Sequence, residues 1–493
     1  MPDRSLRCPK VIMQADTPND SANVSSLSPS VQMAFIAAIA AIAGGLYGYD
    51  TGIISGALLQ ITGEFQLGHT AQELVAAAIL AGAVVGSLTS THLSARFGRR
   101  HTIMIVAAIY TVGVVAASLS PDALWLAVSR LVLGFAVGGS TQIVPTYIAE
   151  LAPPDKRGRL VTYFNVSIGV GILCAAIVGF VLQNAWSWRL MIGVAVVPSL
   201  LLLFGMMRLP GSPRWLVEQG RLVEARQALA RVRETKQEVR EEIADIRELH
   251  EQLEEERGGW RALAEPWVRP ALVAGLGVAA FTQLSGIEMM IYYTPTFLTD
   301  AGFGHSAALL AALGVASVYL VMTYIGKRVV DHVGRRRLTL WMMPPAALAL
   351  FALGAVFHYS LGGEHRGALV VACLLLYMVF NSAGIQVIGW LMGSELYPLA
   401  IRDKATGAHS AMLWGSNLVL TGTALSMTQW LGVGGAMWVY GALNVIGAVF
   451  VYVCLPETAG RSLEDIERAL KEGRFLPTRQ RGDGEAVRGS AAA

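Results

Sequence analysis

By length alone, 493 residues would make about three soluble domains, but 54% of them are hydrophobic and only 15% are charged. With a mean hydropathy of +0.50 and 52 glycines, the composition excludes an ordinary soluble enzyme and fits a polytopic helical membrane protein. A net charge of +3 offers no footing for nucleic acid, so the information lies in where the charges sit.

Residues 1–30 form a polar tail with Arg4, Arg7 and Lys10 and no short apolar signal core, which reads as an uncleaved cytoplasmic tail. A bilayer core needs about 20 apolar residues per helix. Long apolar runs predict twelve spans, at 31–58, 72–94, 102–120, 123–149, 161–184, 188–208, 270–299, 307–330, 338–358, 368–394, 405–430 and 435–455. The expected organisation is a first six-helix half at 31–208, a hydrophilic linker at 209–269, a second half at 270–456 and a polar tail at 457–493. In the linker, Leu222, Leu229, Val232, Val239, Ile243, Ile246, Leu249 and Leu253 recur at helical spacing, as in an amphipathic helix or helix pair. Beyond about Leu476 the tail is polar and expected to be disordered.

Loop charge sets the orientation. Arg96, Arg99 and Arg100 follow span 2; Lys156, Arg157 and Arg159 follow span 4; Lys327, Arg328 and Arg335 to Arg337 follow span 8; Arg402 and Lys404 follow span 10. The alternate loops hold little beyond Arg189 and Arg366. The positive-inside rule then puts both termini and the linker in the cytoplasm of a multi-pass cell-membrane protein. Cys8, Cys174, Cys373 and Cys454 show neither metal-ligand spacing nor a disulfide framework.

Asp50 is the only charge between Val31 and Gly63. An aspartate at mid-bilayer costs at least about 2.5 kcal/mol, so it should face a cavity or a partner, either as a structural carboxylate or as a proton or substrate site. Span 4 likewise carries one charge, Arg130.

The two halves repeat each other. Glu150 and Arg157 after span 4 match Glu395 and Arg402 after span 10. Arg96-Phe97-Gly98-Arg99-Arg100 matches Asp331-His332-Val333-Gly334-Arg335-Arg336, and Pro210-Gly211-Ser212-Pro213-Arg214 matches Pro456-Glu457-Thr458-Ala459-Gly460-Arg461. An internal six-plus-six repeat with the substrate at its interface is a transporter arrangement.

These motifs, together with Gly48-Tyr49-Asp50-Thr51-Gly52, Tyr147 to Gly158, Gln283-Leu284-Ser285-Gly286-Ile287 and Tyr292-Tyr293, resemble the sugar porter family of the major facilitator superfamily. The resemblance spans all twelve predicted helices. It implies an all-α fold of two six-helix halves and alternating-access transport of a sugar or polyol.

It also implies roles. In proton-coupled members of the family an acid at the Asp50 position and an arginine at the Arg130 position form the coupling pair, whereas facilitators carry Asn there. Asp50 would take a proton with outward access, loosen from Arg130 and let the halves close; return of Arg130 would favour release to the cytoplasm. Arg99, Glu150, Arg157, Arg335, Glu395 and Arg402 would form the cytoplasmic salt-bridge gate. Ala95 and Gly211 stand where acids are usual, which would weaken the N-terminal lattice and ease inward opening.

Sugar hydroxyls need groups that donate and accept, plus an aromatic face. By resemblance the substrate-binding positions are Asn165, Thr282, Gln283, Glu288, Ser317, Trp390 and Trp414, several of them departing from the amides usual in the family. Leu413 takes the usual polar position of span 11. Tyr292 and Tyr293 match the extracellular gate, or else belong to an interfacial aromatic belt. Glu288 is the only charge between Pro270 and Thr299. It could be a protonated hydrogen-bonding group, a second proton site, the ligand of a cationic substrate group or a structural residue. His409 reads as a packing residue.

The expected function is import of a sugar, polyol or related hydroxylated solute by proton symport. The alternatives are a uniporter of the same solutes and a transport-inactive sugar sensor. An enzyme is not expected, nor a cofactor beyond the coupling proton, a metal or a nucleic-acid partner. Oligomeric state is left open, a monomer being compatible with all of this.

Overall fold

The computed structural model of the chain describes residues 28–153, 156–183, 187–256, 260–398, 401–461 and 463–477. Residues 1–27 of the expected tail at 1–30, and residues beyond 477 of that at 457–493, lie outside the described residues, as does Cys8; Cys174, Cys373 and Cys454 are free thiols.

The regular structure described is helical. The first half comprises α1 (Pro29–Phe65), α2 (His69–Ser118), α3 (Ala123–Leu151), α4 (Arg157–Leu182), α5 (Trp188–Gly193) and α6 (Val196–Arg208). The linker holds α7 (Pro213–Glu218), α8 (Leu222–Ala230) and α9 (Lys236–Glu256). The second half comprises α10 (Arg269–Leu284), α11 (Ile287–Asp300), α12 (His305–Val333), α13 (Arg335–His358), α14 (Arg366–Ala383), α15 (Ile385–Glu395), α16 (Arg402–Thr421) and α17 (Ala424–Cys454), with α18 (Leu463–Lys471) beyond it.

These elements make twelve crossings in two six-helix halves. Ten segments are long and apolar enough to cross a membrane. One of them, the 50-residue α2, contains a non-helical Gly98 (φ 79°, ψ 161°) and supplies two crossings. The more polar α16 supplies the last. Among the described residues three crossings are each built from two helices, α5 with α6, α10 with α11, and α14 with α15, and α17 is interrupted at the non-helical Gly432 (φ 73°, ψ 164°).

Glycine sets the packing of the first half. Gly44, Gly48, Gly52 and Gly56 recur every four residues, so they lie on one face of α1. A Cβ at Gly48 would come within 1.9 Å of the Ile168 carbonyl oxygen, and one at Gly52 within 2.8 Å of Ala175. That contact turns the glycine face of α1 onto α4, the close approach small residues permit between membrane helices. Asp50, two residues beyond Gly48, therefore points away from α4 and into the bundle.

The linker helices pack on themselves through Trp215, Leu216, Val217, Ala225 and Ala228, and through Leu229, Val239 and Ile243. Arg233 ties them to the membrane bundle, pairing with Glu242 at 2.6 Å and donating to the Leu151 carbonyl at 3.0 Å. Between the halves, α1 meets α11, α2 meets α16 and α4 meets α12.

Candidate functional site

Asp50 and Arg130 meet across α1 and α3, with Oδ1 and Nη1 3.7 Å apart and side chains only 3% and 1% exposed. At that distance they form an ion pair but no hydrogen bond of ordinary length. Arg130 Nε donates to the Val75 carbonyl at 2.9 Å. Asp50 Oδ2 and Arg130 Nη2 are buried with no hydrogen-bond partner. The pair is in contact but unsaturated.

A second set of polar groups gathers at two helix breaks. Span 7 is interrupted at Ser285–Gly286, where Gly286 has φ +98°, and span 10 at Gly384 (φ −99°, ψ −110°). The breaks touch: Thr282 Oγ1 donates to the Val278 carbonyl at 2.7 Å and approaches that of Ile385 at 3.4 Å. The Ser285 carbonyl, freed by the break, accepts from Tyr377 at 3.0 Å and Asn444 at 2.8 Å. Side chains flanking the breaks have no such partners. Gln283 Oε1, Glu288 Oε2, Asn381 Oδ1 and Nδ2, Ser382 Oγ and Gln386 Oε1 are all buried and unpaired. Broken helices that leave polar groups unsatisfied mark substrate sites in transporters.

An aromatic cluster completes the centre. Tyr47 of α1 lies 5.1 Å from Trp414 and 6.4 Å from Trp390 between ring centroids, and the two tryptophans are 6.2 Å apart. Trp414 Nε1 is buried without a partner. The Glu288 carboxylate lies within electrostatic range of the Tyr47, Tyr319 and Tyr377 hydroxyls.

The structure thus brings Trp390 and Trp414 together and sets Gln283 and Glu288 at one break. Thr282 commits its hydroxyl to the contact between breaks, and Ser317 donates to its own helix at Leu313, 2.8 Å away. Asn165 is half-buried on α4, and Leu413 is buried beside Trp414. Sequence reasoning did not single out Tyr47, Tyr319, Asn381 or Ser382. The pair Asn381-Ser382 in an otherwise apolar run was a readable signal. His409 is held by the Gly389 carbonyl (2.7 Å) and Tyr397 (3.1 Å).

At the end away from the linker, polar contacts join the halves. Glu73 accepts from Ser426 N at 2.7 Å and Ser426 Oγ at 2.5 Å. His69 lies 3.7 Å from Asp300, and Ser306 donates to Gln183 at 3.2 Å. Tyr292 and Tyr293 are fully buried rather than lipid-facing, and Tyr293 donates to the Thr421 carbonyl at 3.0 Å.

At the linker end each half repeats one device. Arg99 pairs with Glu150 at 2.9 Å, and Glu150 also accepts from Ser212. Arg335 pairs with Glu395 at 2.8 Å, and Glu395 accepts from Thr458 at 2.9 Å. Both glutamates are thus held by arginines of their own half. Arg402 donates to the Tyr397 carbonyl. Burial, with Arg214 and Arg233 close by, holds the Arg157 guanidinium pKa below its ordinary value against the opposing pull of Glu242 and Glu150.

The halves differ where acids are missing. Asp331 adds a 2.8 Å pair to Arg335, and Glu457 accepts from the backbone N–H groups of Arg335 and Arg336, capping α13. In the first half the Ala95 carbonyl accepts from Trp215 Nε1 at 2.9 Å instead.

The model of the family described as "Sugar (and other) transporter" matches residues 36–470. The chain is 37% identical over 442 residues to the D-xylose transporter of Levilactobacillus brevis, covering 90% of this chain and 96% of that one. It is 33% identical over 451 residues to the major myo-inositol transporter IolT of Bacillus subtilis, covering 89% and 95%. Its fold matches the proton:xylose symporter XylE bound to 6-bromo-6-deoxy-D-glucose with a TM-score of 0.76 at 26% identity, covering 90% of this chain and 100% of that chain. The chain belongs to the sugar porter family of the major facilitator superfamily.

Proposed function

We propose that this protein imports a neutral sugar or polyol together with protons, using Asp50 and Arg130 as the coupling pair. The family assignment makes it a secondary transporter working by alternating access, not an enzyme. One observation carries the coupling assignment: Asp50 and Arg130 are buried, 3.7 Å apart, each with a further polar atom lacking a partner. An ion pair that only braced the bundle would be expected to satisfy those atoms, since removing two charges from water is repaid only by good geometry.

In this reading the linker end is cytoplasmic, by the arginine and lysine distribution. The far end, shut by Glu73, His69 and the two tyrosines, is the extracellular gate. Protonation of Asp50 removes its attraction for Arg130 and lets α1 and α3 move apart, so the proton biases which end opens. The substrate lies between Tyr47, Trp390 and Trp414 and the unpaired amides and carboxyl of the two breaks; aromatic faces cover the apolar side of a sugar while amides meet its hydroxyls. Both D-xylose and myo-inositol, the substrates named for two relatives, present such a pattern of hydroxyls. The linker-end pairs Arg99–Glu150 and Arg335–Glu395 serve as the cytoplasmic gate, with Arg157 and Arg402 as its partners across the halves.

The test is uptake by liposomes reconstituted with the protein, using labelled D-xylose, D-glucose, D-galactose and myo-inositol, with and without an inward proton gradient. Asp50→Asn is expected to abolish gradient-driven accumulation while leaving exchange of labelled for unlabelled sugar. Accumulation surviving in Asp50→Asn would refute the coupling assignment.

A further inference from the structure

Glu288 is not explained by the coupling pair. It sits in the first turn of α11, directly after the break at Gly286, and is 2% exposed. Its Oε2 has no hydrogen-bond partner, and no cation among the described residues acts on it. The titratable groups within its electrostatic range are hydroxyls: Tyr47 on α1, Tyr319 on α12, Tyr377 on α14 and Tyr292 one turn further along α11. On α17, Tyr440 and Asn444 lie behind Tyr377 and Ser285. On α16, His409 is engaged by Gly389 and Tyr397. A lone carboxylate buried among hydroxyls is costly enough that it binds a proton or a ligand cation.

Two further observations bear on it. Tyr292 is within electrostatic range of Glu288 and also of the Asp50–Arg130 pair of the other half. On α12, Tyr319, Thr323 and Lys327 follow at four-residue intervals and lie on one face. They run from the Glu288 site toward the linker end, where Lys327 Nζ is buried without a hydrogen-bond partner. This is a polar track of the kind that could conduct a proton out of the site.

We propose that Glu288 is a second proton carrier, seated in the C-terminal half, which holds its proton while the sugar is bound and loses it toward the linker end when the sugar leaves. The proposal rests on the sugar–proton symport reading above and extends it. Protonated, Glu288 has one O–H to donate and one oxygen to accept, which suits a sugar hydroxyl; ionised, it is a desolvated charge that disfavours the neutral substrate. On release the proton leaves Glu288 for water entering along the α12 track, and the next proton arrives with the next sugar from the opposite side.

The test is binding by the purified full-length protein, read by quenching of intrinsic tryptophan fluorescence with D-xylose, D-glucose, myo-inositol and D-glucosamine between pH 5.5 and 9. Variants are Asp50→Asn, Asp50→Asn/Glu288→Asp and Asp50→Asn/Glu288→Gln. With Asp50 neutralised, Kd for the neutral ligand is expected to rise with pH, approaching about tenfold per pH unit once Glu288 ionises, as linkage to one proton requires. Glu288→Asp should keep that slope with a shifted midpoint, and Glu288→Gln should remove it while retaining tight binding at every pH. A weakly buffered indicator-dye assay should show proton uptake on adding sugar to Asp50→Asn and none in the Glu288→Gln double variant. A flat profile for Asp50→Asn overturns the proposal, as does an unchanged slope in the Gln double variant. Tighter binding of D-glucosamine than of D-glucose that Glu288→Gln reverses also overturns it, because the carboxylate would then be a ligand for a cationic substrate. If wild type binds no neutral member at any pH, the sugar reading itself fails.

Discussion

Glu73 should act as a latch that exists only while the far end is shut. It is 3% exposed and accepts two hydrogen bonds from Ser426, from N at 2.7 Å and from Oγ at 2.5 Å, across the junction of the halves. A hydrogen bond to a charged group contributes about 1.5–3 kcal/mol net. Taking the lower figure for each, Glu73→Ala should favour opening of the far end by about 3 kcal/mol, roughly a 100-fold shift in the open-to-shut ratio. Ser426→Ala removes one bond and keeps the backbone donor, so its shift should be about tenfold. Spin labels at Gln66 and His305, both exposed at the far end, in a background without the native cysteines, would report the separation by pulsed electron resonance. The long-distance fraction should increase in the order wild type, Ser426→Ala, Glu73→Ala. Identical distance distributions for wild type and Glu73→Ala would refute the latch.

Three further outcomes are expected. Arg130→Met should lower thermal stability by about 3–5 kcal/mol equivalent, because it leaves Asp50 buried and unpaired, and Asp50→Asn/Arg130→Met should recover much of it; a thermal-shift series that shows no recovery contradicts the pairing. Gly48→Val should yield little monodisperse protein on size-exclusion chromatography, since its Cβ would sit 1.9 Å from the Ile168 carbonyl oxygen, a backbone atom that cannot yield. Trp390→Ala should raise KM for the transported sugar about tenfold by removing one ring of the central cluster, with protein yield unchanged because Trp390 is only half-buried; an unchanged KM would take Trp390 out of the site.

Much of the frame was legible because the bilayer simplifies the code. Length and apolarity locate spans, so α16 was found although its Ser, Asn and His lower its hydropathy. Asp50, Arg130 and Glu288 stood out because a charge is rare and costly in such runs. The repeat made Arg99 and Arg335 equivalent before any geometry was known, and the structure gives them equivalent partners. What the pattern hides is which long-range neighbours meet. Glu73 reads as an ordinary residue near a span end, and its partner lies 353 residues away. Tyr47 was one aromatic among many until Trp414 and Trp390 were seen against it. Thr282 carried a polar label, but a hydroxyl on a helix can spend its hydrogen on backbone, and this one does. Helix breaks at Gly286 and Gly384 are backbone events in apolar surroundings, which composition does not distinguish from the many other glycines.

The matched turns at Gly98 and Gly334 have similar backbone angles but are seated differently. Gly98 lies under the Trp215 ring, whereas Gly334 lies against the Glu457 carboxylate. An aromatic lid is indifferent to dissolved ions, while a carboxylate beside partly exposed arginines is screened within a Debye length of about 8 Å at physiological ionic strength. The two halves should therefore age differently in changing electrolyte. Concentrated salt should loosen the Gly334 turn, where a carboxylate holds the backbone, more than the Gly98 turn, where an indole does.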